Sequence, residues 1–249
     1  MDVDVDVDVR DREGVGLQLV TGALGVVTLD RGEGEHEGQD AEDEGLDGVE
    51  QELEADHVGL VYMAKAGYDP REAVAYSVLA HSINVRASRP VAIAPLMLGQ
   101  LKSVFTRERH PLQSTDFSFT RFLVPYLSGY EGWSLFFDCD MLLRTDVCEI
   151  LDVLTTQPGK AVYVAKHDYT PKNEIKYLNT VQHKYPRKNW SSVILWNCAH
   201  PENRRLDPEY VMTHLGSHLH RFAWLDDALI GEIPKEWNWL TTEYPDNYE

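Results

Sequence analysis

Two aspartates, Asp138 and Asp140, directly follow a largely apolar run from Trp133 to Phe137. In a β-strand alternate side chains point to the same side, so both carboxylates would face one way while Cys139 faces the other. Burying a carboxylate without a partner is costly, and Mg²⁺ or Mn²⁺ commonly binds one or two carboxylates together with water and phosphate oxygens. The pair therefore predicts a divalent-cation site for a phosphate-containing ligand. A simple turn or helix cap after a strand is the alternative.

Alternating strands and helices surround the acid pair. Apolar runs of strand length occur at residues 57–63, 90–96, 133–137, 160–165 and 192–196. Helix signals lie between them, and the strongest is Asp69-Pro70, where Asp69 can cap a helix and Pro70 suits its first turn. We predict an α/β fold with a mostly parallel central sheet and helices on both faces. Ligands of such sheets bind beyond the carboxyl ends of the strands, which is where the acid pair falls.

Four helices are predicted in these intervals. The first carries Val74, Val78, Leu79 and Ile83 near one face, which predicts that these side chains are buried together. The other helical segments are residues 117–127, interrupted at Pro125, then residues 208–219 and a short helix beginning at residues 226–230.

The negative charge of the chain is concentrated at its beginning. Residues 1–57 hold 19 acidic and 3 basic residues, whereas residues 58–249 hold 22 and 20. Low hydrophobicity and like charge predict a disordered acidic leader over residues 1–57 and a folded domain over residues 58–249. The nearly neutral domain offers no basic groove for nucleic acid, and no apolar run reaches the roughly 20 residues of a membrane span. Three cysteines without CxxC spacing, and an acidic start unlike a secretory signal, predict a cytoplasmic protein.

The segments around the acid pair resemble the GT-A-fold glycosyltransferases, and among them the family 8 group that includes glycogenin and bacterial lipopolysaccharide sugar transferases. In that group a helix with an arginine precedes an apolar strand that ends in Asp-x-Asp, as residues 117–127 and 133–143 do here. Residues 188–197 resemble the family's Asn-Ser-Gly strand. Residues 226–230 and 233–238 resemble its Gln-Asp-x-Leu-Asn helix and its Leu-Pro-x-x-Trp-Asn strand.

The resemblance implies a metal-dependent transfer of a sugar from a nucleotide-sugar, with retention of configuration. The donor implied is a UDP-sugar, and the acceptor is an unknown glycan, lipid or protein. Asp138 and Asp140 would hold Mn²⁺ or Mg²⁺ against the diphosphate of the donor. Arg121 would lie near the donor's phosphate or sugar, and an ion pair with a surface acid is its alternative.

The resemblance also implies contacts to the rest of the donor. Tyr68 and Asp69 follow the first predicted strand and would bind the base and the ribose, although Asp69 equally suits a helix cap. Asn189 and Ser191 would bind the donor from the Asn-Ser-Gly strand. The match is imperfect there, because Asn189 stands one place early and Ser192 replaces the glycine.

Asp227 matches the family's acid close to the reacting sugar, and Asp226 stands beside it. They would stabilise an oxocarbenium-like transition state, and a surface helix cap is the alternative for either acid. Family members also supply a histidine as third metal ligand after the Trp-Asn strand. This chain ends at Glu249 and has no histidine beyond His220. We therefore expect the C-terminal part of the domain to be truncated and the activity to be weak.

Two functions of other classes fit parts of the sequence. A phosphohydrolase of the haloacid-dehalogenase type also ends a strand in Asp-x-Asp, with Asp138 as nucleophile and Asp140 as acid and base. That motif continues with Thr or Val where Leu142 stands, and it lies on the first strand of its domain. A non-catalytic nucleotide-sugar-binding module is the second alternative, because a fold does not imply catalysis. His214 and His218 are spaced like zinc ligands on a helix, but they lack the motif around them.

Overall fold

A six-stranded sheet forms the centre of the computed structural model, which describes residues 17–22, 70–108, 118–168, 187, 189–241 and 243–244. The strands are β1 (Leu17–Gly22), β2 (Ala92–Leu96), β3 (Trp133–Asp138), β4 (Val162–Ala165), β5 (Val193–Asn197) and β6 (Ile230–Ile233). The helices are α1 (Pro70–Asn84), α2 (Val124–Leu127), α3 (Val153–Thr156), α4 (Pro208–Thr213) and α5 (Gly216–Leu219). None of the helices in these ranges combines the length and the apolar character that crossing a bilayer requires.

The sheet is mixed, with three parallel and two antiparallel strand pairs, and only one of the six described strands departs from the predicted parallel arrangement. Its strand order is β2-β1-β3-β5-β4-β6. Strand β1 is parallel to β2 and β3, and β4 is parallel to β6, but β5 runs antiparallel to both β3 and β4. Because β5 alone is reversed, the carboxyl ends of the other five strands meet the amino end of β5 at one side of the sheet. We call this side the carboxyl edge.

The core is divided between the two faces of the sheet. On β3, Phe136 packs on one face with Trp196, whereas Leu135 and Phe137 pack on the other. The first face is covered by the 3₁₀ turn Thr120–Leu123 and by α2, α4 and α5. The second face is covered by α1, by α3 and by the 3₁₀ turn Val147–Asp152 that precedes α3. The predicted cover of helices on both faces is confirmed.

Strand β1 corrects the predicted domain boundary at residue 57. Leu17–Gly22 lies inside the region assigned to a disordered leader, yet it pairs with both β2 and β3 in the interior of the sheet. Composition averaged over 57 residues conceals a segment of this length, because a strand needs only about five or six residues. The strand predicted at residues 57–63 lies outside the described residues.

Helix α1 begins at Pro70 as predicted, but its buried face is narrower than expected. Leu79 and Ile83 are fully buried, whereas Val74 and Val78 are each 50% exposed. At about 100° of rotation per residue, the two valines lie about 100° or more around the helix from Leu79 and Ile83. The prediction that all four share the buried face was therefore wrong.

Two other predicted helical segments are interrupted at positions that the sequence did not indicate. In residues 117–127, Pro125 lies in the first turn of α2, where its missing N–H leaves no intrahelical bond unmade. It therefore begins a helical turn after the 3₁₀ turn Thr120–Leu123 instead of interrupting a helix. Residues 208–219 form two short helices instead of one, α4 and α5.

Candidate functional site

Asp138 ends β3 at the carboxyl edge, and its partner is Arg121. Nη2 of Arg121 lies 2.8 Å from Oδ1 of Asp138, and Nη1 donates to Oδ2 at 3.1 Å. The two side chains are only 7% and 20% exposed, for arginine and aspartate respectively. A guanidinium that contacts both oxygens fixes the plane of a carboxylate as well as compensating its charge. Asp138 is thus a clamped carboxylate.

The guanidinium of Arg121 is held from several sides within the protein. Its Nε donates to the carbonyl of Ser118 at 3.1 Å, and Nη1 also donates to the carbonyl of Ser191 at 2.7 Å. The ring centroid of Phe136 lies 4.9 Å from its Cζ. Arg121 is therefore turned toward Asp138 and the interior. The acid partner of Arg121 is Asp138 instead of the surface acid given as the alternative, and a place near the donor's phosphate or sugar stays a prediction.

Asp140 lies just beyond β3 and is exposed, in contrast to Asp138. Desolvation by the protein around it raises its pKa, and the negative charge of Asp138 raises that pKa further, while Arg121 opposes the shift. The two acids and Arg121 therefore act on one another electrostatically. A cation beside Asp140 would relieve the repulsion between the two carboxylates.

The donor set of this site fits a hard divalent cation. Asp140 is an exposed carboxylate, and Oδ1 of Asp138 accepts no well-aligned hydrogen bond from the described part of the chain, although it contacts Arg121. Mg²⁺ and Mn²⁺ accept one or two carboxylates when water and phosphate oxygens complete their shell. Within the described ranges, no three His, Cys, Asp or Glu side chains are grouped to hold a metal. Cation binding here would therefore depend on oxygen atoms of the ligand.

The 3₁₀ turn Trp190–Ser192, called here the Trp190 turn, leads into β5 at the carboxyl edge. Ser191 is buried, and its hydroxyl lies 2.8 Å from Nδ1 of His220. Asn189, just before the turn, has a left-handed backbone (φ 62°), and its carbonyl accepts from Asn238 at 2.8 Å. Ser191 thus lies behind Arg121, where it supports the acid pair through its carbonyl. Direct donor contacts by Asn189 and Ser191 remain predictions.

Asp226 and Asp227 lie on the loop before β6, and both are exposed. The carboxylate of Asp227 forms an ion pair with Arg187, whose guanidinium lies 5.3 Å from the ring centroid of Trp190. Asp227 is therefore linked through Arg187 to the turn that also supports Arg121. Asp226 occupies the N-cap position of the 3₁₀ turn Asp227–Leu229, but its side chain makes no capping hydrogen bond there.

Tyr68 and Asp69 lie outside the described residues. Their predicted contacts with the base and ribose therefore stay predictions.

His214 and His218 do not share a helix, because α4 ends at Thr213 and α5 begins at Gly216. Their ring centroids are 4.7 Å apart, but each ring already uses a nitrogen. Nδ1 of His214 lies 2.9 Å from the carbonyl of Tyr210, and Nε2 of His218 lies 2.8 Å from the Tyr210 hydroxyl. The arrangement favours a packed aromatic cluster over a zinc site.

Comparison with known proteins identifies a relative of this chain. No protein-family model matches it. Protein CDI of Arabidopsis thaliana is 51% identical over 176 residues, which are 70% of this chain and 67% of that protein. The chain belongs to the Protein CDI family. Among solved structures, the fold is similar to that of mouse xyloside xylosyltransferase 1 in its apo form, with a TM-score of 0.42 and 12% identity over 66% of this chain and 80% of that one.

In this member of the Protein CDI family, sequence reasoning missed two histidines near the site. His167 follows β4 at the carboxyl edge, is 6% exposed, and has Nδ1 2.7 Å from the hydroxyl of Tyr244. Burial lowers the pKa of His167 to about 4, and its carbonyl accepts from Nε1 of Trp190 at 3.1 Å. Its place directly after an apolar strand was the available signal. His220, which contacts Ser191, stands close to His214 and His218 in the sequence, and its surroundings there gave no sign of this contact.

Proposed function

We propose that this chain is a metal-dependent glycosyltransferase of the GT-A type, which moves a sugar from a nucleotide-sugar to an acceptor. The observation that carries the proposal is the acid pair at the carboxyl edge, with Asp138 clamped by Arg121 and Asp140 exposed beside it. Ligands of α/β sheets bind at this side of the strands. The order of motifs that resembles the family 8 group gives further support.

The charges of the site suit a diphosphate leaving group. Asp138, Asp140 and Arg121 together carry one formal negative charge, so a bound divalent cation would leave the site with one positive charge. Bound Mn²⁺ or Mg²⁺ would supply charge neutralisation for the departing nucleoside diphosphate. Asp140 offers the accessible carboxylate, and Arg121 holds the plane of Asp138, so the orientation of Asp138 is fixed before the ligand arrives.

The reacting sugar is assigned to Asp227, whose partner Arg187 packs on the Trp190 turn at the carboxyl edge. Asp227 keeps an exposed carboxylate next to the guanidinium of Arg187. A carboxylate in this place would stabilise positive charge that develops on the sugar, with Asp226 adding to the same field. Retention of configuration, a UDP-sugar donor bound by Tyr68 and Asp69, an unnamed glycan, lipid or protein acceptor and a cytoplasmic location complete the proposal. These last points are supported only by the sequence.

A substitution of one carboxylate side chain tests this function. The purified chain is incubated with a panel of nucleotide-sugars and Mn²⁺, and both the unfolding temperature and the release of nucleoside diphosphate are measured. We expect metal-dependent stabilisation and slow donor hydrolysis in the native sequence. We expect Asp140→Asn to lose the stabilisation and to reduce hydrolysis by about 100-fold or more.

Glu209→Gln is the matched control, because it removes one negative charge in the first turn of α4 and leaves the acid pair intact. It should leave both readouts unchanged. Absence of metal-dependent binding and of hydrolysis with every nucleotide-sugar in the native chain would refute the proposed function.

The two alternatives give different outcomes in the same assay. A phosphohydrolase with Asp138 as nucleophile would carry this motif on the first strand of its domain, whereas two strands precede β3 in the chain. Such an enzyme would release inorganic phosphate from simple esters. A non-catalytic module would show metal-dependent stabilisation by the donor without any release of diphosphate.

A further inference from the structure

We propose that His220 is a positioning residue, which holds the Arg121–Asp138 pair in place through Ser191. The proposal deepens the proposed function, on which it rests, because Asp138 is assigned to the metal site. The contacts that carry it belong to the folded chain alone, so they can be measured without a ligand.

His220 acts on the residue that receives Arg121. Its Nδ1 lies 2.8 Å from Oγ of Ser191, and Ser191 is only 5% exposed. The carbonyl of the same serine accepts from Nη1 of Arg121 at 2.7 Å. Since the hydroxyl and the carbonyl belong to one residue, the contact to His220 determines where the acceptor for Arg121 stands.

His220 also packs against the segment that carries Arg121. Its ring lies edge-on to Phe122 with centroids 5.1 Å apart, and 5.9 Å from the ring of Phe119. Gly216 allows this approach, because a Cβ there would come within 2.9 Å of the Phe119 ring. The imidazole therefore touches both segments between which the guanidinium of Arg121 lies.

The Trp190 turn is held by contacts from several segments. Asn189, directly before it, holds a left-handed backbone, which asparagine tolerates better than most residues other than glycine. The Asn238 side chain donates to the Asn189 carbonyl, and the Trp190 indole donates to the His167 carbonyl. These two hydrogen bonds fix the beginning of the turn. The contact from His220 fixes its middle, at Ser191. Loss of this contact would free the Ser191 carbonyl, and the clamp on Asp138 would loosen with it.

The test measures the clamp directly. His220→Phe keeps an aromatic ring against Phe119 and Phe122 but removes the nitrogen that contacts Ser191. By ¹⁵N NMR, solvent exchange of the Arg121 guanidinium protons should become about fivefold faster than in the native chain, as expected for the loss of one hydrogen bond. Ser191→Ala breaks the same contact from the other side and should give a similar increase. The exchange rate in the double variant should be no higher than in either single variant, because all three variants lack the same contact between Ser191 and His220.

His218→Phe is the control, since it breaks the neighbouring contact to Tyr210 without touching the Trp190 turn. Exchange at Arg121 that stays unchanged in His220→Phe, or that rises equally in His218→Phe, overturns the proposal, as do additive effects in the double variant. If His220→Phe does not fold, the comparison of Ser191→Ala with His218→Phe decides the question. A native chain that binds no Mn²⁺ or nucleotide-sugar refutes the proposed function, whereas the exchange rates still decide the role of His220.

Discussion

The two acids of the candidate site show how neighbouring residues of one type acquire different properties. Asp138 is held by the Arg121 guanidinium, whereas Asp140 is exposed and has a raised pKa. Their sequence spacing places both at the end of β3, but it says nothing of this difference. The difference arises because the arginine reaches only the acid that still belongs to the strand.

His167 shows the cost of burying an ionisable side chain beside the site. Its pKa falls to about 4 through burial, whereas an unfolded histidine titrates near 6.5. Between these values the unfolded chain binds a proton that the folded chain does not, so the free energy of unfolding should fall as the pH falls. The full contribution is present above about pH 6.5, and about 3 kcal/mol should be lost by about pH 4.

The measurement is urea unfolding at a series of pH values. His167→Gln should flatten the slope of the unfolding free energy between pH 4 and 6.5. The exchange of an exposed histidine, His81→Gln, should leave that slope as in the native chain. An unchanged slope in His167→Gln would show that other groups cause the loss of stability in acid.

At the scale of elements, the pairing of β4 with β6 depends on a glycine. Tyr163 and Gly231 are cross-strand neighbours, and a Cβ on Gly231 would lie 2.3 Å from Cδ1 of the tyrosine ring. Tyr163 is fully buried, so its ring has little room to move away. Because β6 directly follows the loop with Asp226 and Asp227, this close approach also determines where that loop stands.

Gly231→Ala should therefore destabilise the chain by about 1–3 kcal/mol, the usual cost of overpacking a core. Chemical denaturation of the variant and the native chain measures the difference. Gly99→Ala is the matched control, because nothing lies within 4 Å of a Cβ at that position. Equal changes in both variants would mean that the Tyr163 contact is not the cause.

At the scale of the whole molecule, the sheet joins distant parts of the chain. Strand β1 comes from the acidic first part of the chain, yet it lies between β2 and β3 in the sheet. Its last residue, Gly22, is the cross-strand neighbour of Asp138. The backbone of β1 pairs with β2 on one side and with β3 on the other. Without β1, therefore, β2 would be separated from the rest of the sheet. The folded unit is thus not confined to residues 58–249.

A variant that lacks residues 1–57 should lose cooperative unfolding, because β2 would have no neighbour to pair with. A variant that lacks only residues 1–12 still contains the whole of β1. It should therefore keep the native transition in a thermal scan followed by circular dichroism. Cooperative unfolding at the native temperature in the variant that lacks residues 1–57 would contradict the central place of β1 in the sheet.

The sequence alone determined the features that depend on local pattern. Strands β2 to β5 follow from short apolar runs, the start of α1 follows from Pro70, and the place of Asp138 and Asp140 follows from the run before them. Each of these rests on interactions within a few residues, which composition and spacing record directly.

Tertiary structure decided the features that depend on distant residues. The reversal of β5, the inclusion of β1, the clamp of Arg121 on Asp138 and the contact of His220 with Ser191 all join segments far apart in the chain. Such contacts are chosen by the packing of the whole core, since the same local pattern is compatible with several strand directions and partners. Only the folded chain shows which one is realised.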